Sequence, residues 1–490
     1  MSSPFNLSQY VLANAGDCPD KTALAILGPA KAECWSYARL EAAVRGTATG
    51  LLQSGLNQGD RVLLRLGNSA DFPVAYLGAI AAGLIPVPTS TALTRPEMTA
   101  LARDLEPAAI LTDGSCPIPD GGTPTYDLSV LRDWQSLPAA PYAMGDPEQA
   151  AYIVYTSGTS GKPRGVIHAH RAILARQMMH QGWYGLRSED RLLHAGAFNW
   201  TYTLGTGLLD PWTIGATALV PQEGTEASLL PLLLKRHETT IFAAAPGIYR
   251  RFLREAGPLD LPHLRHGLSA GEKLPDPVRA AWEEATGTKV HEAFGMSECS
   301  TFLSGSPDRP APPGTSGYPQ PGRRVTLRSG GAEANPGTIA IHRSDPGLML
   351  GYLNAPEETA GRFDGDWFLT GDLGERQPDG AIAYLGRDDD MMNAGGVRVS
   401  PLEVEAALSG HPQITDIAAI EVPVTDSTTI IAAIYSAAGD IAEDELNRFA
   451  AGRLARYKQP RLYRRLEALP RGANGKLLRR QLRDQFERPI

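Results

Sequence analysis

A glycine-rich run between two apolar segments constrains this chain more than any other feature. Tyr155 to Gly165 holds three glycines, four Ser or Thr hydroxyls and two cations within eleven residues. The preceding Ala150 to Val154 predicts a short apolar strand, so the run is expected to leave a sheet edge with backbone N–H groups and hydroxyls pointing outward. Such a concavity favours anions, and we expect it to bind polyphosphate. A flexible Gly/Ser linker is the alternative, although a linker rarely ends in Lys-Pro-Arg-Gly before an apolar strand.

The spacing of the glycines excludes the commonest phosphate loop. That loop needs four residues between its glycines and a Ser or Thr directly after its lysine. Here two residues separate Gly158 from Gly161, and Pro163 follows Lys162. A different design for nucleotide binding is therefore expected.

Length and charge limit the classes of protein that fit. A chain of 490 residues is too long for one hydrophobic core and predicts roughly two to four domains. The formal net charge of −8 argues against general nucleic-acid binding, which needs a basic face. From Arg448 onward, however, thirteen Lys and Arg stand against three acidic residues. This basic end predicts a small lobe that contacts phosphates, although a solvated helix face explains the same charges.

The cysteines and the apolar stretches indicate a cytoplasmic protein. The four cysteines form no Cys-x-x-Cys pair, which fits neither a metal knuckle nor a disulfide framework. Residues 1 to 20 lack the basic start and apolar core of a signal peptide. The most apolar stretch, Ala75 to Ile85, is well short of the roughly 20 residues that span a bilayer. No membrane span is expected.

Alternating strand and helix patterns predict an α/β fold. In such chains the sheets are mostly parallel and carry helices on their faces. Short apolar runs that predict strands recur through the first 290 residues, at Arg61 to Leu66, Ala108 to Leu111, Tyr152 to Tyr155, Ala216 to Val220 and Thr240 to Ala244. From about residue 314 to 387, Gly/Pro-rich turns around short segments such as Thr338 to His342 predict a β-rich subdomain.

A domain boundary is predicted after residue 387. Asp388, Asp389 and Asp390 carry adjacent carboxylates, which repel one another and favour an exposed, extended segment. Residues 1–387 are thus expected to form a large N-terminal domain of mixed, mostly parallel sheets with helices. Residues 388–490 are expected to form a small, mobile α+β C-terminal domain.

The start of the C-terminal domain has the signals of a helix. Ser400 suits the N-cap, Pro401 the first helical position, and Glu403 the closing position of a capping box. Gly410 is expected to end this helix. Strands are predicted beyond it at Asp416 to Val422 and Thr429 to Tyr435.

Five further segments follow the glycine-rich run in a fixed order. They are Ser269 to Lys273, Glu292 to Glu298, Phe368 to Gly374, Gly386 to Gly396 and Asn474 to Lys476. Together with the run, they resemble the adenylate-forming superfamily of acyl-CoA synthetases, peptide-synthetase adenylation domains and luciferases. The resemblance covers essentially the whole chain. Leu454 to Pro460 and Phe302-Leu-Ser look most like benzoate-type and medium-chain carboxylate–CoA ligases.

The resemblance implies a two-step ligase that uses ATP, Mg²⁺ and coenzyme A. A carboxylate becomes an acyl-AMP with release of pyrophosphate, and a thiol then displaces AMP. Such chemistry needs cations and N–H dipoles that neutralise developing charge. Glu298 and Thr159 are expected at Mg²⁺, a hard cation that prefers oxygen ligands, and Ser297 at the α-phosphate. The other residues that the resemblance assigns to the nucleotide are Thr156, Ser157, Gly158, Ser160, Gly161, Lys162, Gly271, Glu272, Lys273, Phe294, Gly295, Asp372 and Arg387.

The resemblance also assigns the C-terminal domain two tasks. Lys476 is expected to bridge the substrate carboxylate and the α-phosphate during adenylation. Asp389 corresponds to the hinge about which the small domain turns. Gly395 and Gly396 would then make room for the pantetheine arm of coenzyme A. Its phosphates are expected to contact Arg398 and Lys458.

An aromatic or medium-chain acid is the expected substrate. Asn199 is neutral where amino-acid-activating relatives place an aspartate, and an unpaired ammonium is costly to bury. Gly295 stands where acetate-activating relatives carry a bulky Trp, whereas Thr301 replaces a pocket histidine of benzoate-specific relatives. The predicted pocket residues are Phe198, Asn199, Trp200, Tyr202, Gly205, Gly295 and Thr301. Core packing explains Trp200 and Tyr202 nearly as well.

Several alternatives stay open on the sequence. They are a free-standing adenylation protein that loads a carrier-protein thiol, an adenylate-binding scaffold, and luciferase-like oxygenation. Cys299 is expected to be a small packed residue, and the histidines at 168, 170 and 194, which lack metal-ligand spacing, are expected to be structural or pocket-lining. Partners are expected to be small molecules, with a homodimer left open.

Overall fold

The structure is a computed structural model. It describes residues 3–156, 163–254, 259–394, 397–425, 428–472 and 477–485, without the side chains of residues 389, 393–394, 397–398, 425 and 428. The chain forms two compact units. The first comprises residues 1–312, 316–324 and 341–368, and the second comprises residues 313–315, 325–340 and 369–490.

Strands and helices alternate along the chain as the sequence predicts. The strands are β1 (Thr22–Leu27), β2 (Ala32–Ser36), β3 (Arg61–Arg65), β4 (Ile85–Pro88), β5 (Ala109–Thr112), β6 (Thr125–Tyr126), β7 (Ala150–Thr156), β8 (Arg164–Ala169), β9 (Arg191–His194), β10 (Thr217–Pro221), β11 (Ile241–Ala244), β12 (His266–Ala270), β13 (Val290–Met296), β14 (Ser300–Ser304), β15 (Tyr318–Pro319), β16 (Val325–Ser329), β17 (Ala332–Glu333), β18 (Gly337–His342), β19 (Gly351–Tyr352), β20 (Phe363–Asp364), β21 (Trp367–Arg376), β22 (Ile382–Arg387), β23 (Met392–Ala394), β24 (Val397–Val399), β25 (Asp416–Thr425), β26 (Thr428–Ser436) and β27 (Leu462–Arg465).

The helices vary from one turn to five. They are α1 (Leu7–Val11), α2 (Tyr37–Gln53), α3 (Asp71–Ala81), α4 (Arg95–Leu105), α5 (Leu128–Gln135), α6 (Ala172–Met179), α7 (Asp210–Thr213), α8 (Leu230–Arg236), α9 (Pro246–Arg254), α10 (Asp276–Thr286), α11 (Pro356–Gly361), α12 (Pro401–Ser409), α13 (Glu443–Ala451) and α14 (Arg479–Asp484). Two segments, His180–Tyr184 and Thr203–Leu209, are π-helical, and the second contains the predicted pocket residue Gly205. Within the described residues, no helix combines the length and the apolar character needed to cross a bilayer.

The first unit contains three sheets. The largest has nine strands in the order β15-β14-β13-β12-β11-β9-β10-β1-β2. Its inner strands run parallel, and antiparallel pairs occur only at its two ends. A second sheet, β4-β3-β5-β6, is parallel throughout, and β19-β8-β7 is antiparallel. The prediction of mixed, mostly parallel sheets is confirmed.

Buried apolar helices hold these sheets together. All eleven residues of α3 are buried, which fits a segment whose only charged residue is Asp71. That carboxylate is compensated, since it accepts hydrogen bonds from Arg132 at 3.0 Å and from Gln135 at 2.9 Å. Helix α2 packs against both α3 and α5. The resulting core places β3 and β7 on a common scaffold.

The second unit begins with the β-rich strands and ends with an α+β lobe. Strands β17, β16, β18 and β21 neighbour one another in that order, and β22 pairs with β21. In the lobe, β25 and β26 are antiparallel and β27 adds in parallel. The predicted boundary after residue 387 lies inside this unit, since residues 325–340 and 369–387 cluster with the C-terminal residues. The boundary stays a prediction.

One local prediction near this boundary is wrong. Asp388–Asp390 forms a short 3₁₀ turn rather than an extended segment. Arg483 relieves the repulsion between the carboxylates because it pairs with Asp390 at 2.6 Å. The predicted strands Asp416 to Val422 and Thr429 to Tyr435 correspond to β25 and β26.

The predicted capping box at α12 does not form, although the helix starts and stops where the sequence indicates. Ser400 is the N-cap residue by position, but its hydroxyl donates to the carbonyl of Leu385 instead of accepting from the helix. Glu403 pairs with Lys458 at 2.5 Å. A tertiary carbonyl and a tertiary cation have thus replaced the local partners. Gly410 ends the helix in an ordinary right-handed conformation.

Candidate active site

The glycine-rich run joins two paired strands of the first unit. Strands β7 and β8 are antiparallel, and Thr156 lies opposite Arg164 at the open end of this hairpin. Arg164 pairs with Glu358 at 2.6 Å, and the Tyr155 hydroxyl donates to Asp104 at 3.3 Å. Both ends of the run are therefore fixed. The predicted phosphate-binding residues Ser157, Gly158, Thr159, Ser160, Gly161 and Lys162 lie outside the described residues.

The Ser297–Glu298 motif forms a tight turn between β13 and β14. Met296 lies opposite Ser300, so only residues 297–299 form the loop of the hairpin. Ser300 has φ +63°, the left-handed conformation that commonly closes three-residue hairpin loops. Cys299 within the turn is fully buried, which confirms its interpretation as a packed residue.

Partners from three other segments hold this turn. His168 on β8 donates from Nε2 to the carbonyl of Ser297 at 2.7 Å. The backbone N–H of Met349 donates to the carbonyl of Glu298 at 2.7 Å. The buried Arg323 donates to the carbonyl of Thr301 at 2.7 Å. No sequence motif marks Arg323 for this contact, because 22 residues separate it from Thr301.

Tyr352 fixes the side chain of Glu298. Its hydroxyl donates to Oε1 of Glu298 at 2.8 Å, and the two residues are 7% and 8% exposed. Tyr352 belongs to β19, which pairs with β8 through Val166. The carboxylate is thereby tied to the strand that leaves the glycine-rich run. Its second oxygen is a hard donor, which fits Mg²⁺. Within the described residues, no group of three or more metal-ligating side chains occurs.

Burial keeps the nearby histidines neutral. It lowers the pKa of His168 to about 4, despite the hydrogen bond to Ser297, and the pKa of His170 to about 4. The pKa of His194 falls to about 3 for the same reason. His170 accepts a hydrogen bond from the backbone of Leu7 at 3.0 Å. The expectation that these side chains are structural or pocket-lining agrees with their burial.

Trp200 contacts the segment predicted to bind the nucleotide. Gly271 follows β12 with φ +94°, and a Cβ built there would lie 2.7 Å from Cζ2 of Trp200. Glycine is therefore required both by the backbone conformation and by the approach of the indole. One predicted acyl residue and one predicted nucleotide residue thus lie together. Glu272 and Lys273 follow Gly271 in the loop between β12 and α10.

Gly295 is required by its own hairpin. A Cβ at this position would lie 2.3 Å from the carbonyl oxygen of Ser300 and 2.4 Å from Cα of Thr301. Phe294, one residue earlier, packs edge-on against Phe302 with ring centroids 5.5 Å apart. The absence of a side chain at 295 therefore has a backbone cause in addition to the predicted role in pocket depth.

The predicted acyl segment, which comprises the predicted pocket residues from Phe198 to Gly205, is only partly accessible. Phe198 is 1% exposed and packs on Phe72, whereas Tyr202 is 7% exposed and donates to the carbonyl of Leu268 at 3.0 Å. Trp200 is half-buried and lies edge-on to Tyr202. Asn199 lines a separate cleft of 490 Å³ whose walls include Asn68, Gly196, Glu223 and Arg251.

Asp372 and Arg387 meet in the second unit. They are opposite each other in the β21–β22 pair, with 3.8 Å between Oδ1 of Asp372 and Nε of Arg387. The Tyr384 hydroxyl also donates to Asp372 at 3.3 Å. Burial, followed by the charge of Asp372, raises the pKa of Tyr384. Asp372 is 5% exposed, so its carboxylate is held by defined partners.

The structure describes some of the remaining predicted residues of the second unit and not others. Lys458 pairs with Glu403, and this hydrogen bond raises the pKa of Lys458 above its ordinary value, although partial burial acts in the opposite direction. Lys476, Gly395 and Gly396 lie outside the described residues, as do the side chains of Asp389 and Arg398. Their predicted roles stay predictions.

Comparisons with known proteins match nearly the whole chain. The model of the AMP-binding enzyme family matches residues 12–353, and that of the AMP-binding enzyme C-terminal domain matches residues 403–476. A 3-hydroxybenzoate–CoA ligase of Aromatoleum sp. (strain CIB) is 30% identical, over 94% of this chain and 93% of the relative. A benzoate–CoA ligase of Thauera aromatica is 30% identical, over 88% of this chain and 86% of the relative.

Solved structures agree with these matches. The crystal structure of an anthranilate CoA ligase in complex with anthranoyl-AMP superposes with a TM-score of 0.89 at 27% identity. The superposition covers 99% of this chain and 98% of that one.

Proposed function

This chain belongs to the AMP-binding enzyme family, and from that premise we propose how its residues divide the work of an ATP-dependent carboxylate–CoA ligase. The enzyme is an AMP-forming acid–thiol ligase that uses ATP, Mg²⁺ and coenzyme A. In the first step, a carboxylate oxygen attacks the α-phosphorus of ATP and pyrophosphate leaves. In the second step, the thiol of coenzyme A attacks the acyl carbon, and AMP leaves as the thiol proton is lost.

One observation carries the assignment of the adenylation site. His168 and Tyr352 join the Ser297–Glu298 turn to β8, the strand that leaves the glycine-rich run. The strand that follows the glycine-rich run and a hard carboxylate ligand are thus held together. Mg²⁺ bound at Glu298 would neutralise phosphate charge. Ser297 is proposed at the α-phosphate, and the run between β7 and β8 at the β- and γ-phosphates.

The second unit is proposed to supply the ribose contact and the catalytic cation. Asp372, oriented by Arg387 and Tyr384, has the two oxygens needed to accept hydrogen bonds from both ribose hydroxyls. Lys476 is proposed to bridge the two anions that must react. Gly395 and Gly396 are proposed to admit the pantetheine arm after the small domain turns at Asp389.

Separate assays of the two half-reactions test this division. Lys476→Ala is expected to abolish carboxylate-dependent pyrophosphate exchange, yet to retain conversion of supplied acyl-AMP to acyl-CoA. Asp389→Pro is expected to impair thioester formation more than exchange. Lys235→Ala is the matched control, since this exposed lysine pairs with Asp260 on the surface. Equal loss of both steps in Lys476→Ala contradicts the proposal.

We propose an aromatic acid as the substrate, because the named relatives act on benzoate and 3-hydroxybenzoate. The half-buried Trp200 beside Gly271 suits a flat acyl group next to the nucleotide. Activation of aliphatic acids of medium chain length, but of no aromatic acid, would overturn this choice. Measuring AMP release with free coenzyme A against carrier proteins tests the acceptor.

A cytoplasmic location is part of the proposal. Cys18, Cys34, Cys116 and Cys299 are all free thiols, which fits a reducing compartment. Homodimer formation stays a prediction, and the mass in solution tests it.

A further inference from the structure

A charged pair is buried beside the predicted acyl segment. Arg176 on α6 donates from Nε and Nη2 to the two carboxylate oxygens of Asp210, both at 2.7 Å. The Asp210 side chain is fully buried and the Arg176 side chain is 11% exposed. This parallel arrangement is the strong, geometrically specific form of an Arg–carboxylate contact.

Hydroxyl groups complete the network around the pair. The Tyr184 hydroxyl donates to Asp210 at 2.7 Å and lies 2.8 Å from Oγ1 of Thr206. Nη2 of Arg176 also lies 3.3 Å from the Thr206 hydroxyl. The carboxylate is therefore fully satisfied, and the network as a whole is electrically neutral.

The guanidinium lies directly against the predicted acyl segment. A Cβ built at Gly205 would be 2.1 Å from Cζ of Arg176, so the absence of a side chain there is what admits the cation. On the other side, Nη1 donates to the Ser300 hydroxyl at 2.7 Å. Ser300 precedes Thr301, another predicted pocket residue. The cation thus connects both walls of the predicted pocket.

One N–H group of the Arg176 guanidinium remains available for a further hydrogen bond. Nη1 carries a second hydrogen, and no acceptor for it occurs among the residues that the structure describes. The residual exposure belongs to Arg176 and not to Asp210. The fully buried Tyr76 hydroxyl, whose pKa the charge of Arg176 lowers in part, has no partner within the described ranges. Unsatisfied buried donors cost free energy, so an acceptor that reaches them gains more than it would in water.

Stability alone gives little reason to keep such a pair. Replacing a buried ion pair with apolar side chains of similar volume is often neutral or stabilising. A pocket built to hydrogen-bond a substrate group instead rejects analogues that lack the group. The charge balance also restricts which acids the pocket can bind. Since Asp210 already neutralises Arg176, a second carboxylate would be buried without a countercharge.

We propose that Arg176, held in place by Asp210, determines acid specificity by donating to a neutral oxygen acceptor at the far end of the acyl group. The preferred acids carry a hydroxyl, ether or carbonyl oxygen distal to the reacting carboxylate. Plain hydrocarbon acids and acids with a second carboxylate are disfavoured. This inference rests on the proposed function and narrows its substrate class.

The test compares benzoate, the three monohydroxybenzoates and the corresponding benzenedicarboxylates by pyrophosphate release. At least one hydroxybenzoate is expected to exceed benzoate in kcat/KM by about tenfold, the worth of one hydrogen bond to a charged donor. In the double variant Arg176→Met/Asp210→Leu, this ratio is expected to fall to near one, mainly through a higher KM for the hydroxylated acid. Arg176→Lys, which keeps the charge but loses the planar guanidinium and its several donors, is expected to lower the ratio as well.

A second ion pair, with a buried aspartate and a partly exposed arginine, provides the control. Arg265 and Asp190 meet at 2.6 Å in the same unit, and Asp190 is 1% exposed. Arg265→Met/Asp190→Leu is expected to leave the hydroxybenzoate-to-benzoate ratio unchanged, whatever its effect on thermal stability. A wild-type preference for benzoate or a dicarboxylate overturns the inference, as does an equal loss for all acids in both Arg176 variants. Failure of every acid in this panel to release pyrophosphate refutes the proposed aromatic substrate, on which the inference rests.

Discussion

Removing the hydroxyl of Tyr352 should weaken adenylation by a calculable amount. In Tyr352→Phe, Glu298 loses a 2.8 Å hydrogen bond while remaining 8% exposed, and the ring itself is retained. Hydrogen bonds to charged groups contribute about 1.5–3 kcal/mol. Because 1.4 kcal/mol corresponds to a factor of ten, we expect pyrophosphate exchange to fall by about 10- to 100-fold.

The assay should also show whether the lower exchange rate reflects weaker binding of Mg²⁺ or of the carboxylic acid. The Tyr352 hydroxyl orients the carboxylate proposed to bind Mg²⁺, so the Mg²⁺ concentration for half-maximal exchange should rise by about tenfold. The KM for the carboxylic acid should change little. Urea unfolding of the variant measures the structural share of the effect, which we expect to be about 1 kcal/mol.

Tyr142→Phe is the matched control. Its hydroxyl donates to Glu41 at 3.1 Å, so the substitution removes another Tyr–Glu hydrogen bond from the same unit. We expect a small change in unfolding free energy and no change in the Mg²⁺ requirement. An unaltered Mg²⁺ dependence and rate in Tyr352→Phe would refute the idea that this hydroxyl orients Glu298.

Three further predictions concern buried titratable side chains. Burial lowers the pKa of His194 to about 3, so below pH 6.5 the unfolded chain binds a proton that the native state does not. The free energy of unfolding therefore decreases by about 1.4 kcal/mol for each unit by which the pH is lowered. His194→Leu should remove this contribution in urea unfolding at pH 7 and 5.5, and an unchanged pH dependence would contradict it. Asp372→Asn should raise the KM for ATP by about tenfold in exchange assays, whereas an unchanged KM would remove the ribose assignment. Arg479→Met should destabilise the second unit by about 3–5 kcal/mol, because it leaves the buried Glu405 carboxylate without its 2.7 Å partner; Glu405→Leu in the same chain should restore most of the loss in thermal unfolding, and no restoration would exclude an ion-pair cause.

Several features could be read from the sequence because they depend on local order. The glycine-rich run lies between two strands, as predicted. The helix after Ser400 began and ended as predicted, since Pro401 can occupy only the first turn. Alternating short apolar runs and helical patterns determined the α/β class in the same way.

Long-range hydrogen bonds could be decided only by the tertiary structure. Tyr352 is 54 residues from Glu298, and Asp210 is 34 residues from Arg176. No spacing rule selects such partners, because each is chosen by which buried donor and acceptor the packed strands bring within 3 Å. The hydroxyl of Ser400 illustrates the same competition, since a tertiary carbonyl displaced the local cap.

The sequence by itself determined which chemical groups are present and in what order along the chain, and this sufficed for the family and the reaction type. The folded chain decided how those groups are oriented and which are left unsatisfied. The physical reason is that hydrophobic burial sets the positions of the strands, whereas the free-energy cost of unpaired polar groups then selects the contacts among distant side chains.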